Sequence, residues 1–474
     1  MINTLLIFPI IAAILVLLIK KPKFNTFMIN LYAVIHFAVT MLICAGVGTK
    51  EASPYFAVDG VNLIFLLVLS IVYLAVAIYN TGYVKTFDTP AKRISHYSFM
   101  ILIFVLSMTG TLLSTDLGLA WVLIEATTLS SAYLIYFNKT KHSIEAAWKY
   151  VFICSIGIAL AFVGIILLNI SSGSINTLNF SELYQHAQSF DTNWLKLAFI
   201  FMLFGFGAKM GLAPVHFWLP DAHSEAPSPI SALLSAALLN SAFLVIVRVF
   251  KITNLAGCSD YARFMLLLMG FISLFITAVF IYHIKNYKRM LAYSSIENMG
   301  ILAIGLALGA YYAVILHVIG HSLAKASFFL TSGNVLELYQ TKRIKSVNGL
   351  IKADGKTGTL WIASFLAICA FPTSVLFISE FLFAKTMIAQ GHYILCSLFV
   401  LLLTIILYGL GYVVIKTSFG KVSDDKAATI EANRNKVSLC MYIPQTIMLI
   451  LVFTLGIYIP KFLNNIILNC INGL

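Results

Sequence analysis

Ionisable side chains that interrupt apolar runs are the residues of this sequence that could do chemistry. Lys209 lies in the run LFGFGAKMGLAP, which Pro214 must break, and Glu125 lies in LAWVLIEATTLSS. A charged side chain at the centre of a membrane costs about 3 kcal/mol on insertion scales, so pairing is expected. We predict that Lys209 relays protons with Glu125 as its counter-charge, because burial favours a neutral amine and a nearby carboxylate favours an ammonium. A purely structural ion pair that fixes the helix break is the alternative.

Three more polar residues recur at every fourth position in LHVIGHSLAKASFFL. This spacing places His317, His321 and Lys325 on one face of a helix, over about 12 Å of its axis. A neutral histidine both accepts and donates a proton, so the row could pass protons toward Glu380 in FPTSVLFISEF, the predicted terminal acid. The alternatives are a polar seam that packs helices and, for Glu380, a solvated helix end. The two histidines lack the glutamate and third ligand of a zinc site, so no metal is predicted.

Other polar residues cluster around Pro220, just after the first expected break. We expect His216 and His223 to hydrogen-bond backbone groups that the break frees. Asp221 and Glu225 are expected to line a polar funnel at the membrane surface. These four residues form a candidate vestibule.

The composition is typical of a helical membrane protein with many spans. Of 474 residues, 60% are hydrophobic and only 10% are charged, and the mean hydropathy is +0.95. This leaves too little polar surface for a soluble chain of such length. The apolar segment 1–19 has neither a basic start nor a small-residue cleavage site, so we expect it to remain as the first helix. The seven scattered cysteines include no CxxC motif, and no cofactor is expected in this chain.

The apolar runs predict an all-α polytopic membrane protein with about fourteen transmembrane helices. Pro214 and Pro372 should break helices 7 and 12, and each of these helices carries a buried ionisable group. Because this pattern is typical of transporters with internal repeats, we predict two inverted five-helix repeats. The predicted units are 1–96 for helices 1–3, 97–250 for the first repeat, 262–420 for the second repeat, and 421–474 for the C-terminal loop and helix 14. The predicted spans are 2–19, 25–47, 60–80, 97–115, 117–137, 148–169, 195–219, 229–250, 262–283, 290–308, 311–337, 359–389, 393–415 and 441–460.

Basic residues are divided unevenly between alternate loops. The odd-numbered loops carry most of the 31 Lys and Arg residues, and the opposite face carries few, Lys50 among them. Because basic loops stay in the cytoplasm, both termini are predicted outside, and the net charge of +13 is attributed to topology rather than to a nucleic-acid partner. The sorting leaves only Lys209 and Lys325 inside apolar spans. One odd loop, 220–229, has no basic residue. A further acid, Glu297, is expected nearer a helix end.

Four motifs, in order, resemble a known family. They are FGFGAKMGLAPVHFWLPDAHSEAPSPISALLSAALLNSA, YSSIENMGI, LHVIGHSLAKASFFLTSGNV and FPTSVLFISEF. Together they resemble the proton-translocating antiporter-like subunits shared by respiratory complex I, Mrp-type cation/proton antiporters and membrane-bound group 4 nickel–iron hydrogenases. The resemblance runs from about Phe99 to Phe419. SEAPSPISALL followed by Asn240, and YSSIENMG with Glu297, look most similar to the F-type membrane subunit of hydrogenase-4 and formate hydrogenlyase.

The resemblance assigns roles to the ionisable residues. It makes Glu125 and Lys209 the pair on helices 5 and 7, and Glu380 the residue beside the break of helix 12. The row of His317, His321 and Lys325 becomes the central hydrophilic connection. Complex I relatives commonly have a lysine on helix 8 where this sequence has Asn240. Water or His317 would then have to bridge the two half-channels.

The function that the resemblance implies is proton translocation within a multi-subunit redox complex of the bacterial or archaeal plasma membrane. Partner membrane and peripheral subunits would hold iron–sulfur clusters and a nickel–iron centre or quinone, since this chain has no evident redox centre of its own. The transported ion would be the proton, with sodium as an alternative. A complex I or Mrp-type antiporter subunit is the rival within transport. A non-pumping membrane scaffold for a peripheral enzyme is the rival of another class.

Overall fold

The computed structural model describes residues 1–47, 53–173, 175 and 177–474, so Lys50 of the charge sorting lies outside the described residues. Helices dominate, and the part of the chain that is described contains isolated β-bridges but no strand. In chain order the helices are α1 Ile2–Ile19, α2 Pro22–Cys44, α3 Asn62–Tyr83, α4 Ala91–Leu113, α5 Leu117–Ile135, α6 Lys141–Ser171, α7 Phe180–His186, α8 Thr192–Met210, α9 Trp218–Glu225, α10 Ser228–Leu233, α11 Leu239–Leu255, α12 Ser259–Phe280, α13 Tyr287–Ala307, α14 Tyr311–Tyr339, α15 Leu350–Ala353, α16 Gly355–Ile368, α17 Val375–Ala389, α18 Tyr393–Ser418, α19 Asp424–Asn433, α20 Ile443–Ile457 and α21 Lys461–Asn472.

Twelve helical segments among the described residues are long and apolar enough to cross a membrane. One of them joins α10 to α11 through a π-helical turn over Leu234–Leu238. The two other predicted spans correspond to α8 and to the pair α16 and α17. The prediction of an all-helical membrane fold is therefore confirmed. The division into two repeats and four units stays a prediction.

Side-chain caps begin four of the helices that carry the candidate site. Asp116 accepts the backbone N–H of Leu119 at the start of α5, and Asp191 accepts two backbone N–H groups at the start of α8. Asn286 does the same for α13, and Ser374 caps α17. Each cap satisfies an N–H group that has no partner within its helix, which fixes where the helix begins.

The first helix break lies between α8 and α9, around Pro214 as predicted. Helix α8 ends at Met210, and Gly211 follows in the left-handed conformation with φ 83°. The Trp218 indole donates to the Ala208 carbonyl over 2.7 Å. The N–H of Ala213 donates to Ser273 Oγ over 2.9 Å. Side chains thus satisfy backbone groups that the break frees inside the bundle.

The second break separates α16 from α17 around Pro372, again as predicted. Ala370 and Thr373 both adopt positive φ angles, 51° and 86°, which turn the chain between the two helices. Helix α17 then runs through Glu380 to Ala389. The chain therefore interrupts a membrane-length segment at residues 371–373, which are exposed at the surface of the bundle.

The centre of the bundle is formed by the α10 to α11 segment together with α13 and α14. All residues of α13 except Arg289 are buried. Helix α14 packs against α3, α10, α13, α16, α17 and α20. Large apolar side chains point outward from peripheral helices, as Phe152 of α6 and Ile394 of α18 do. These outer faces suit contact with lipid, and the polar residues of the centre are shielded from it.

The segment 220–229 is not a plain loop, because α9 continues to Glu225 with Pro220 inside its first turn. Asp221 forms ion pairs with Lys149 at 3.2 Å and with Arg289 at 2.9 Å. Glu225 forms one with Lys342 at 3.0 Å. The three basic partners come from regions that the charge sorting assigned to one face. The acidic segment thus lies at the same end of the bundle, among its basic neighbours.

Candidate functional site

A fully buried lysine amine lies at the end of α8. Lys209 Nζ donates to Thr128 Oγ1 and to Tyr150 Oη, both over 2.7 Å. It also lies 4.6 Å from the centre of the Tyr150 ring, a cation–π distance. These contacts supply the polar partners that a buried amine needs.

Thr128 connects this lysine to Glu125. Thr128 Oγ1 donates to Glu125 Oε2 over 2.9 Å, and Ser155 Oγ donates to the other carboxylate oxygen over 3.0 Å. The predicted partners are therefore joined through one hydroxyl, since Thr128 accepts from Lys209 and donates to Glu125. A hydroxyl in this position can pass a proton between its two neighbours.

The predicted row on α14 is fully buried at all three positions. The His317 and His321 rings lie 6.5 Å apart with planes only 9° from parallel, which agrees with a shared helix face. His317 bonds to Ser379 Oγ at 3.0 Å through Nδ1 and to Asn298 Oδ1 at 3.1 Å through Nε2. Neither ring nitrogen of His321 has a partner with hydrogen-bond geometry among the described residues.

Lys325, the last member of the row, extends its side chain from α14 to α13. Its amine donates to the Leu291 carbonyl over 2.9 Å. That carbonyl belongs to the helix that also carries Glu297. The row therefore ends against α13.

Asn240 lies between the two halves of the site. Its Nδ2 donates to Ser322 Oγ over 2.7 Å and to the Ala236 carbonyl over 2.8 Å. Ser322 directly follows His321 in the chain, so the amide contacts the row next to the histidine. The Oδ1 atom of Asn240 has no hydrogen-bond partner among the described residues. The π-helical turn ends two residues earlier, a feature frequent at functional sites.

Two carboxylates share a cavity in the second half of the bundle. Glu380 on α17 and Glu297 on α13 line this cavity of about 280 Å³, together with Cys369 and Thr404. Glu297 lies near the middle of α13 with 7% of its surface exposed. The expectation that it lies near a helix end is wrong, because α13 begins at Tyr287 and continues to Ala307.

The candidate vestibule divides into a buried and a surface part. His216, in the first break, is buried against Phe217, with 4.6 Å between ring centres. His223 is fully buried and stacks on Phe329 with 4.9 Å between ring centres. Within the described chain, neither ring nitrogen of His223 has a partner of hydrogen-bond geometry. The expectation that His223 hydrogen-bonds the freed backbone is therefore wrong, because Trp218 and Ser273 bond those groups instead. Asp221 and Glu225 are the partly exposed acids of the ion pairs described above.

Lys288 is a buried lysine that the charge sorting assigned to a loop. It lies in the first turn of α13, is fully buried, and donates to the Ala226 carbonyl over 2.6 Å. The assignment is wrong because Asn286 caps α13 and begins the helix three residues before the predicted span. Asn286, a typical helix-capping residue four positions before the predicted span, is the signal that could have located this start.

The described residues contain no group of three or more His, Cys, Asp and Glu side chains that could hold a metal ion. Both nitrogens of His317 are engaged by Ser379 and Asn298 instead.

Broken helices around a line of carboxylates and of buried lysines and histidines define a multi-pass membrane protein of the antiporter-like class. A family model described as "NADH:quinone oxidoreductase/Mrp antiporter, TM" matches residues 114–407. The chain belongs to this family.

Individual relatives cover nearly the whole chain. It is 32% identical to the hydrogenase-4 component F homolog of Methylacidiphilum infernorum, over 96% of both chains. It is 27% identical to NADH-quinone oxidoreductase subunit N of Desulforudis audaxviator, over 83% of this chain and 80% of that one. Among solved structures, a chain of the membrane-bound sulfane sulfur reductase, an archaeal respiratory membrane complex, superposes with a TM-score of 0.86 at 22% identity, over 99% of this chain and 97% of that chain.

Proposed function

We propose that this chain is the proton-translocating membrane subunit of a redox complex of the hydrogenase-4 or formate hydrogenlyase type. The name of the relative from M. infernorum supports the type of complex. The observation that carries the proposal is the hydrogen-bonded chain from Glu125 through Thr128 to the buried Lys209. A structural ion pair would need no hydroxyl between the two charges, whereas a proton relay uses one.

In this mechanism, electron transfer in partner subunits changes the field around Glu125. A stronger negative potential at Glu125 favours the ammonium form of Lys209, and a weaker one favours the neutral amine. Lys209 therefore takes up or releases a proton as this potential changes. The proton then moves past Asn240 to the row on α14 and on toward Glu380. The Asn240 amide is not ionisable and cannot relay a proton itself. It orients Ser322 and the polar region beside His321, and water carries the proton between Lys209 and the row.

The remaining assignments follow from the type of complex. Iron–sulfur clusters and a nickel–iron centre or quinone belong to partner subunits, and this chain supplies the proton path. The complex lies in a bacterial or archaeal plasma membrane, with the α9 end of the bundle in the cytoplasm and both termini outside.

The test compares Lys209→Met with Lys196→Met, a substitution at the opposite end of the same helix. Proton pumping and redox turnover are measured for the assembled complex in sealed vesicles. We expect Lys209→Met to abolish pumping while the complex persists, and Lys196→Met to pump normally. Unchanged pumping by Lys209→Met would rule out the relay.

A sodium-coupled antiporter is the second candidate, because the matching family model includes Mrp antiporters. Uptake of radioactive sodium that depends on a proton gradient, without any redox partner, would favour it. A scaffold role would be favoured instead if the double variant Glu125→Gln and Lys209→Met kept both pumping and turnover.

A further inference from the structure

Glu297 is a buried acid that the relay described so far does not use. It lies on a helix whose residues are buried except for Arg289. An ionised carboxylate there is costly unless a neighbouring charge or polar group compensates it. Its surroundings therefore decide whether it is a structural residue or a proton carrier.

The groups around Glu297 belong to the relay. Lys325 reaches the helix that carries Glu297, because its amine donates to the Leu291 carbonyl over 2.9 Å. Glu297 itself lines the cavity of about 280 Å³ that it shares with Glu380. The cavity also contains the thiol-bearing Cys369 and the hydroxyl of Thr404.

Hydrogen bonds next to the two acids hold α13, α14 and α17 together. Asn298, the next residue after Glu297, bonds to one nitrogen of His317. Ser379, the residue before Glu380, bonds to the other. His317 thus fixes α13 and α17 relative to each other on α14, so that the two acids line one cavity.

We propose that Glu297 is a proton-carrying residue between Lys325 and Glu380, an inference that rests on the proposed function. The Lys325 ammonium gives its proton through bridging water to the Glu297 carboxylate, which leaves a neutral amine and a carboxylic acid. The acid then releases this proton into the shared cavity, where the Glu380 carboxylate accepts it. No oxidant or reductant takes part.

The test uses Glu297→Gln in the assembled complex, reconstituted in sealed vesicles. Glutamine keeps the size and the hydrogen-bonding ability of the side chain but cannot carry the proton. We expect the number of protons pumped per redox turnover to fall about 100-fold, the order of magnitude of a lost proton-transfer group. Glu297→Asp, which keeps a carboxylate, should recover part of the pumping.

Glu337→Gln is the matched control. Glu337 is a partly buried acid on α14 that accepts a hydrogen bond from Thr86, and it does not line the shared cavity. This variant should pump normally. Size-exclusion chromatography of each extracted complex checks that assembly is intact.

Infrared difference spectroscopy of the complex during turnover supplies a second measurement, one that a structural role would not change. A protonated-carboxyl band should disappear in Glu297→Gln. Normal pumping and an unchanged band in Glu297→Gln, while Lys209→Met and Glu380→Gln fail to pump, would overturn the role of Glu297 and leave the proposed function intact. Normal pumping by Lys209→Met would overturn the proposed function and this inference with it.

Discussion

At the scale of single residues, one hydroxyl decides how Glu125 and Lys209 communicate. Their types and positions could be predicted from the sequence, because charges in apolar runs are costly. Thr128 could not be singled out in the same way. Serine and threonine occur throughout these helices, and only the packing of α5 against α6 and α8 shows which hydroxyl meets the amine.

Thr128→Val should therefore uncouple the first half of the relay. Valine has nearly the shape of threonine but removes the group that contacts both charges, and a hydrogen bond to a charged group contributes about 1.5–3 kcal/mol. We expect pumping to fall about 10-fold or more while redox turnover continues, with recovery in Thr128→Ser. Thr127→Val is the control, because among the described residues the Thr127 hydroxyl donates to the Ile124 carbonyl and contacts neither charge. Equal pumping by both valine variants would show that the hydroxyl plays no part.

At the scale of elements, the two prolyl breaks were predictable, since a proline removes a backbone donor and disfavours helix before it. The residues at which the helices begin are harder to predict from the sequence. Lys288 was assigned to a loop because its helix begins three residues earlier than the apolar pattern indicates. The α9 helix is not evident from the sequence because Pro220 resembles a loop residue, although proline is tolerated in the first turn of a helix.

The first break predicts a specific sensitivity at Gly211. Its φ angle of 83° lies in the left-handed region, and a Cβ atom there would collide with the Leu219 side chain. Gly211→Ala should destabilise the complex by more than the roughly 1–2 kcal/mol that the left-handed conformation alone costs a residue with a Cβ atom. Gly173→Ala is the control, since Gly173 also has a positive φ but open space around it. Thermal unfolding midpoints of the two variants, measured in detergent, should differ. Identical midpoints would contradict the account of the break.

At the scale of the whole molecule, the division of basic residues predicts which end faces the cytoplasm. The loop 220–229 belongs to the basic side by its order in the chain, yet it contains no Lys or Arg. Its acids in fact pair with Lys149, Arg289 and Lys342, so it belongs to the basic end. Sequence alone could not show this, because the partners are far apart in the chain.

Labelling of single introduced cysteines tests this orientation. In a background without native cysteines, Lys345→Cys at the basic end should react with a membrane-impermeant reagent only after the cells are permeabilised. Ser181→Cys at the opposite end should react in intact cells, because both positions are exposed and only their side of the membrane differs. The reverse pattern would contradict the predicted topology.

The central claim is that protons pass through the buried amine of Lys209, and the most direct measurement is the number of protons pumped per redox turnover by Lys209→Met in sealed vesicles. The account predicts an assembled complex that turns over without pumping, beside a Lys196→Met control that pumps normally. An unchanged proton count in Lys209→Met would contradict it.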